Sequence, residues 1–132
     1  MTELEKVREY FKGDVFATSS TGAVIEEIGD RWAKCSLLID SRHKNAANQV
    51  MGGAIFTLAD FAFAVAANRP DLPITVTVST NISFIGTAKG SSLIAQTKLL
   101  KDGRRNCFYE VEVTDDMGNP VAIVNVVGMH LN

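Results

Sequence analysis

Cysteine is scarce in this chain: Cys35 and Cys107 are the only two in 132 residues, and neither sits in a Cys-x-x-Cys pair or at Cys/His spacing. That excludes a disulfide framework and a cysteine-based metal site, and leaves two structural thiols. A surplus of one charge is also missing. The 13 basic and 15 acidic residues are scattered and give a formal net charge of -2, so no electrostatic footprint for nucleic acid is present. The N-terminal run MTELEKVREYF lacks the apolar core of a secretion signal, from which a cytoplasmic location is expected. No apolar run reaches the ~20 residues of a membrane span; the longest, Gly52 to Ala67, begins with two glycines and contains Asp60. A soluble core helix is expected there.

What remains is enough chain for one domain, 1–132, and too little for two. Leu4, Val7 and Phe11 stand at helical spacing among charged residues, which predicts a short amphipathic N-terminal helix. Ala23 to Ile28 and Trp32 to Ile39 read as two strands of a hairpin turning at Gly29-Asp30. The polar, aperiodic SRHKNAANQV, Ser41 to Val50, is a loop leading into a long helix from Gly52 to Asn68, which ends before Pro70.

Everything after it reads as strand. From Ile74 to Ile85, Val76, Val78, Thr80, Ile82 and Phe84 alternate with Thr75, Thr77, Ser79, Asn81 and Ser83, giving one apolar face. Ser92 to Leu100, Arg104 to Thr114 and Val121 to Leu131 follow, separated by the turn residues Lys101-Asp102-Gly103 and Asp115 to Asn119. The order predicts an α+β fold, an antiparallel sheet of about six strands wrapped around one central helix that is apolar on nearly every side.

Within MGGAIFTLADFAFAVAAN, Met51 to Asn68, Asp60 is the single charge. At 100° per residue Gly53, Phe56, Thr57, Phe63, Ala64 and Ala67 fall within about 60° of it. A carboxylate in such company is either satisfied by a neighbouring hydroxyl such as Thr57 or opens onto a cleft as a general base or nucleophile. Gly52-Gly53 likewise has two readings: close packing at a helix entry, or free N–H groups that hold developing negative charge on an oxygen. Gly53 and Asp60 are seven residues, hence ~10 Å, apart along the helix. Acting on one bond, they must come from two chains of a two-fold dimer.

The run HKNAANQVMGGAIFTLAD, His43 to Asp60, resembles the H-x-N-x-x-G-x-x-H-G-G-x-x-F-x-L-A-D pattern of hotdog-fold acyl-CoA thioesterases of the phenylacetate-degradation and 4-hydroxybenzoyl-CoA type. NISFIGTAKGSSLIAQTKLLKDGRRNCFYEVEVTDDMGNPVA is similar to that family's later strands, so the likeness spans nearly the whole chain. The resemblance implies a hotdog dimer, often a dimer of dimers and so a homotetramer, that hydrolyses thioesters of coenzyme A without metal or dissociable cofactor. It implies Asp60 as catalytic carboxylate, Gly53 as oxyanion donor and Asn45 as an orienter of water. Gly52, Met51, His43 and Thr77 then fall to the substrate; for His43 the alternative is a loop histidine stabilising its own turn. Phe56 and Phe63 are candidate walls of an aryl or medium-chain acyl tunnel, with core packing as their other fate.

Three positions depart from the pattern: Met51 replaces its histidine, Asn48 its glycine, and Gly86-Thr87 the common Arg-Pro. Met51 favours one rival, an acyl-CoA-binding hotdog module without turnover, and counts against another, a hotdog dehydratase or hydratase, which needs a histidine at the helix.

Overall fold

The computed structural model describes residues 1–131. Helix α1, Glu3–Phe11, starts at a capping box in which the Thr2 hydroxyl accepts from the Glu5 N–H at 3.1 Å and the Glu5 carboxylate accepts from the Thr2 N–H. Its buried side chains are Val7 and Phe11, and Phe11 meets Phe61 edge to face at 5.8 Å. The chain then makes a single wide helical turn at Phe16–Ser20 before entering the sheet.

Strands β1, Ala23–Gly29, and β2, Trp32–Leu38, form the expected hairpin, but its turn is one residue later than expected. Gly29 pairs with Trp32, so Asp30 and Arg31 make the turn, with Arg31 in the left-handed region at φ +53°. Tertiary contacts hold it there: the Tyr109 hydroxyl donates to the Arg31 carbonyl at 3.1 Å and the Arg31 guanidinium pairs with Asp102.

Helix α2 runs Gly52–Ala67. Asn68 ends it by leaving the helical region, and its side chain ties the helix to the next strand, donating to the Ala64 and Thr75 carbonyls and accepting from the Thr75 N–H at 2.8 Å. Strands β3, Thr75–Phe84, β4, Ser92–Asp102, β5, Asn106–Asp115, and β6, Pro120–His130, complete a six-stranded antiparallel sheet in the order β1-β2-β4-β5-β6-β3. The sheet wraps α2, whose Leu58, Ala62, Phe63 and Val65 are buried in one core with Val111, Val113, Val124 and Val126. Full burial of each larger side chain contributes about 1.5–3 kcal/mol. This is the hotdog architecture expected of the sequence, with its short N-terminal helix. No described helix is long and apolar enough to cross a membrane.

Two details shape the sheet around α2. Asp115, 1% exposed, accepts from the N–H groups of Lys89, Gly90, Met117 and Asn119 and from the Asn119 amide, stapling the β5–β6 turn to the approach to β4. These bonds, the Asn119 side chain's first, hold its carboxyl well below the usual carboxylate range. The second detail is a bulge in β3: Thr77 pairs with Gly128 and Ser79 with Val127, leaving Val78 unopposed. Thr77 reaches Asp60 of α2 and Phe84 reaches Gly52 of α2, though seven residues separate them. An unbroken pleat would put them on opposite faces; the extra residue brings both to the helix. The single apolar face expected from Val76 to Phe84 is therefore split. Ile82 packs on the core as expected, whereas upstream of the bulge Thr75 and Thr77 face inward in place of Val76 and Val78.

Candidate active site

The sheet encloses most of α2, but Phe56, Thr57, Asp60, Phe61 and Ala64 of the helix face Asp14, Val15, Phe16 and Ala17 of the segment after α1. A cleft of about 440 Å³ lies between them. Asp60 is half-buried in it, and the Thr77 hydroxyl donates to its Oδ1 at 3.3 Å. Burial pushes the Asp60 carboxyl up from its ordinary value, the Thr77 hydrogen bond opposes this, and the negative charge of Asp14 adds to the rise. A carboxylate so placed is a stronger base than one in water. Thr57 does not satisfy it, because the Thr57 hydroxyl donates to the Gly53 carbonyl at 2.8 Å. The hydroxyl that meets Asp60 is that of Thr77 from β3, in place of Thr57.

At the helix entry, Met51 is the N-cap and supplies no side-chain hydrogen bond, while its carbonyl accepts from the Ala54 N–H at 3.0 Å. Neither the Gly52 nor the Gly53 N–H has an acceptor among the described residues. The two glycines differ in what demands them. A Cβ on Gly52 would lie 2.8 Å from the Phe84 ring, so packing accounts for that glycine. A Cβ on Gly53 would meet only the Met51 methyl at 3.9 Å, and Gly53 has no positive φ. Nothing within its own chain requires Gly53 to be glycine.

The remaining expected residues divide. Phe56 and Thr77 join Asp60 at the cleft, and Gly52, Gly53 and Met51 lie at the far end of the helix, ~10 Å away. The Asn45 carbonyl oxygen is committed to its own loop, accepting from the N–H groups of Ala47 and Gln49, which leaves only its NH₂ free; Asn48 turns the loop at φ +61°. Two expectations are corrected. His43 is 3% exposed, accepts at Nδ1 from the Asp40 N–H and donates from Nε2 to the Thr21 carbonyl at 2.7 Å, so no ring nitrogen remains for a substrate. Phe63 is 1% exposed and stacks edge to face on Tyr109 at 5.2 Å in the core, away from the cleft.

Sequence patterning misses Asp14, Phe16 and Phe61. Asp14 and Phe16 arrive by a tertiary crossing that leaves no local periodicity, and Phe61, about 100° from Asp60 around the helix, lies outside the arc taken around Asp60. One trio with metal-type ligand atoms, Asp102, Cys107 and His130, sits at the other end of the sheet. There His130 donates from Nε2 to Asp102 at 2.7 Å and accepts at Nδ1 from Thr75, while the Arg31 guanidinium already occupies Asp102 and burial raises the Cys107 thiol. These bonds tie the ends of β3, β4 and β6 together.

A half-buried carboxylate at a cleft, on a helix wrapped by a six-stranded antiparallel sheet, sits in a hotdog fold. The comparisons give the family: the thioesterase superfamily model matches residues 47–122. A proposed esterase of Archaeoglobus fulgidus is 30% identical over 91% of this chain and 78% of its own length. The acyl-coenzyme A thioesterase PaaI of Escherichia coli is 26% identical over 77% of this chain and 73% of its own. The solved structure of the PaaI protein from the E. coli phenylacetic acid degradation operon superposes with a TM-score of 0.86 at 19% identity, covering 99% of this chain and 97% of the other. The chain belongs to the thioesterase superfamily and is a thioester hydrolase.

Proposed function

We propose that this protein hydrolyses the thioester of an aryl- or medium-chain acyl-coenzyme A, in the cytoplasm and as a homodimer whose two active sites each draw on both chains. The observation that carries the proposal is the half-buried Asp60 on an apolar cleft, with the donor it needs present in the sequence but ~10 Å out of reach on the same helix. In the proposed reaction Asp60 takes a proton from water as the water oxygen bonds to the thioester carbon. The carbonyl oxygen gains the electron pair and is held by the Gly53 N–H of the second chain. Collapse breaks the C–S bond, and the sulfur leaves with the proton returned from Asp60, giving free acid and coenzyme A. Water is the only co-reactant, and no metal or cofactor enters. The name of the E. coli relative supports the coenzyme A ester as substrate, and the rings of Phe16, Phe56 and Phe61 suit an aryl or aliphatic acyl group.

An open sheet edge supports the dimer. β3 presents ten residues, TVTVSTNISF, without a charge or proline to protect them, and Val78 is 51% exposed. Pairing two β3 edges about a two-fold axis continues the sheet and sets the two α2 helices side by side. Phe108 and Met129, exposed on the convex face, favour a second pairing into a dimer of dimers. A hotdog lyase, which uses a histidine and an acid at the helix, finds no histidine at this cleft.

The test is thiol release across short, medium, long and aromatic acyl-CoA esters. Wild type releases thiol, and Asp60→Asn, which keeps the shape and removes the charge, loses about 10²–10⁴-fold in kcat. Saturable binding without thiol release overturns the hydrolytic proposal in favour of an acyl-CoA-binding module. Unchanged hydrolysis in Asp60→Asn overturns the role of Asp60.

A further inference from the structure

We infer that Asp14 makes the acyl cleft selective against acyl groups ending in a carboxylate, so that the acyl part this protein accepts is uncharged. The inference rests on the thioesterase proposal and adds the substrate's charge class. Asp14 lines the same cleft as Asp60, opposite Phe56 and Phe61, and its carboxylate makes no hydrogen bond or ion pair among the described residues. No basic side chain lines the cleft; its other walls are Val15, Phe16, Ala17, Thr57 and Ala64. A group entering beyond the thioester therefore faces two carboxylates and no cation from this chain, Asp14 and Phe16 lying exposed at the mouth of the cleft.

Like charges ~5 Å apart, in a medium between bulk water and protein surface, separate the two ligand classes by about tenfold to a hundredfold. An uncharged acyl group escapes that penalty and gains the aromatic walls. The same carboxylate acts on the base. Asp60 is faced by the Thr77 hydroxyl from β3 and by Asp14 from the segment after α1, and the Asp14 charge adds to the burial that holds the Asp60 carboxyl up. Asp14 is thus a specificity residue with a second, electrostatic signature.

The matched probes are non-hydrolysable thioether analogues of hexanoyl-CoA and adipoyl-CoA, equal in chain length and different in terminal charge. Calorimetry with wild type, Asp14→Asn and Asp14→Glu gives the affinity ratio; thiol release with the corresponding esters gives the kcat/KM ratio. Wild type favours the hexanoyl form by about tenfold or more, Asp14→Asn brings the ratio within about threefold, and Asp14→Glu retains it. In a carboxyl NMR titration Asp60 moves to lower pH in Asp14→Asn and stays in Asp14→Glu. Equal affinities in wild type, or a ratio that Asp14→Asn leaves untouched, overturn the inference. Analogue binding with the expected ratio but no thiol release removes the hydrolytic proposal and leaves the inference standing. Binding of neither analogue overturns both.

Discussion

Alanine at each of the two adjacent glycines of α2 separates packing from chemistry. Both substitutions add one methyl in the first helical turn and gain the same conformational preference, up to ~1 kcal/mol, so the difference between them cancels that term. At Gly52 the methyl arrives 2.8 Å from the Phe84 ring, which is 55% exposed and swings aside at a modest cost of about 1 kcal/mol. At Gly53 the methyl meets nothing closer than 3.9 Å within the chain. Thermal melts should therefore place Gly52→Ala about 4 °C below Gly53→Ala. Activity should invert that order. A methyl beside the Gly53 N–H pushes the thioester oxygen off its donor by about 1 Å, a displacement that costs about 10²-fold in kcat. Thiol release and melts on the same preparations, with dimer content checked by sedimentation, are the assay. Gly53→Ala with wild-type kcat would refute an external group approaching that amide, and equal melting temperatures would refute the contrast drawn between the two glycines.

Thr77→Val removes the hydroxyl that favours the ionised form of Asp60, so the acid limb of kcat/KM moves to higher pH; a fixed limb would deny the hydrogen bond its role. Asp115 has its carboxyl held below the ordinary range, so its contribution to stability is present above the unfolded-state value, about pH 4, and drains away as pH falls below it. Asp115→Asn should lower the melting temperature at pH 7 and flatten the acid branch of melting temperature against pH, and an unaltered acid branch would contradict the staple. Val78→Asp, on an exposed residue of the open edge, should turn the dimer into monomers on sedimentation with little change in far-UV circular dichroism; a dimer that persists would remove β3 as the interface.

Most of the fold is legible in the sequence because its signals are local and redundant. An alanine-rich apolar run bounded by glycines and a proline names α2, and period-two strands with turn residues between them name the sheet. The site is legible in part. Asp60 stands out as the one charge in its helix, and Asn48 takes the left-handed turn that asparagine tolerates. What escapes is whatever depends on how the sheet encloses the helix. The open side of α2 is centred between Asp60 and Ala64, which sets buried Phe61 along the cleft wall and turns Phe63 under Tyr109, whereas an arc centred on Asp60 selects the opposite phenylalanine. His43 matches a motif position, but its two ring nitrogens are claimed by backbone groups that only the folded loop brings near. Arg31 takes a strained turn conformation because Tyr109 and Asp102, distant in sequence, hold it.

The unopposed Val78 makes the surroundings of Asp60 a matter of counting. Thr77 points at Asp60 and Phe84 at Gly52 only because one surplus residue lies between them. Deleting that residue changes no side chain at the cleft, yet it turns either the hydroxyl away from the carboxylate or the ring away from the glycine. A lineage of such chains can therefore retune the Asp60 carboxyl by gaining or losing a single codon in an edge strand, without substituting any residue that lines the cleft.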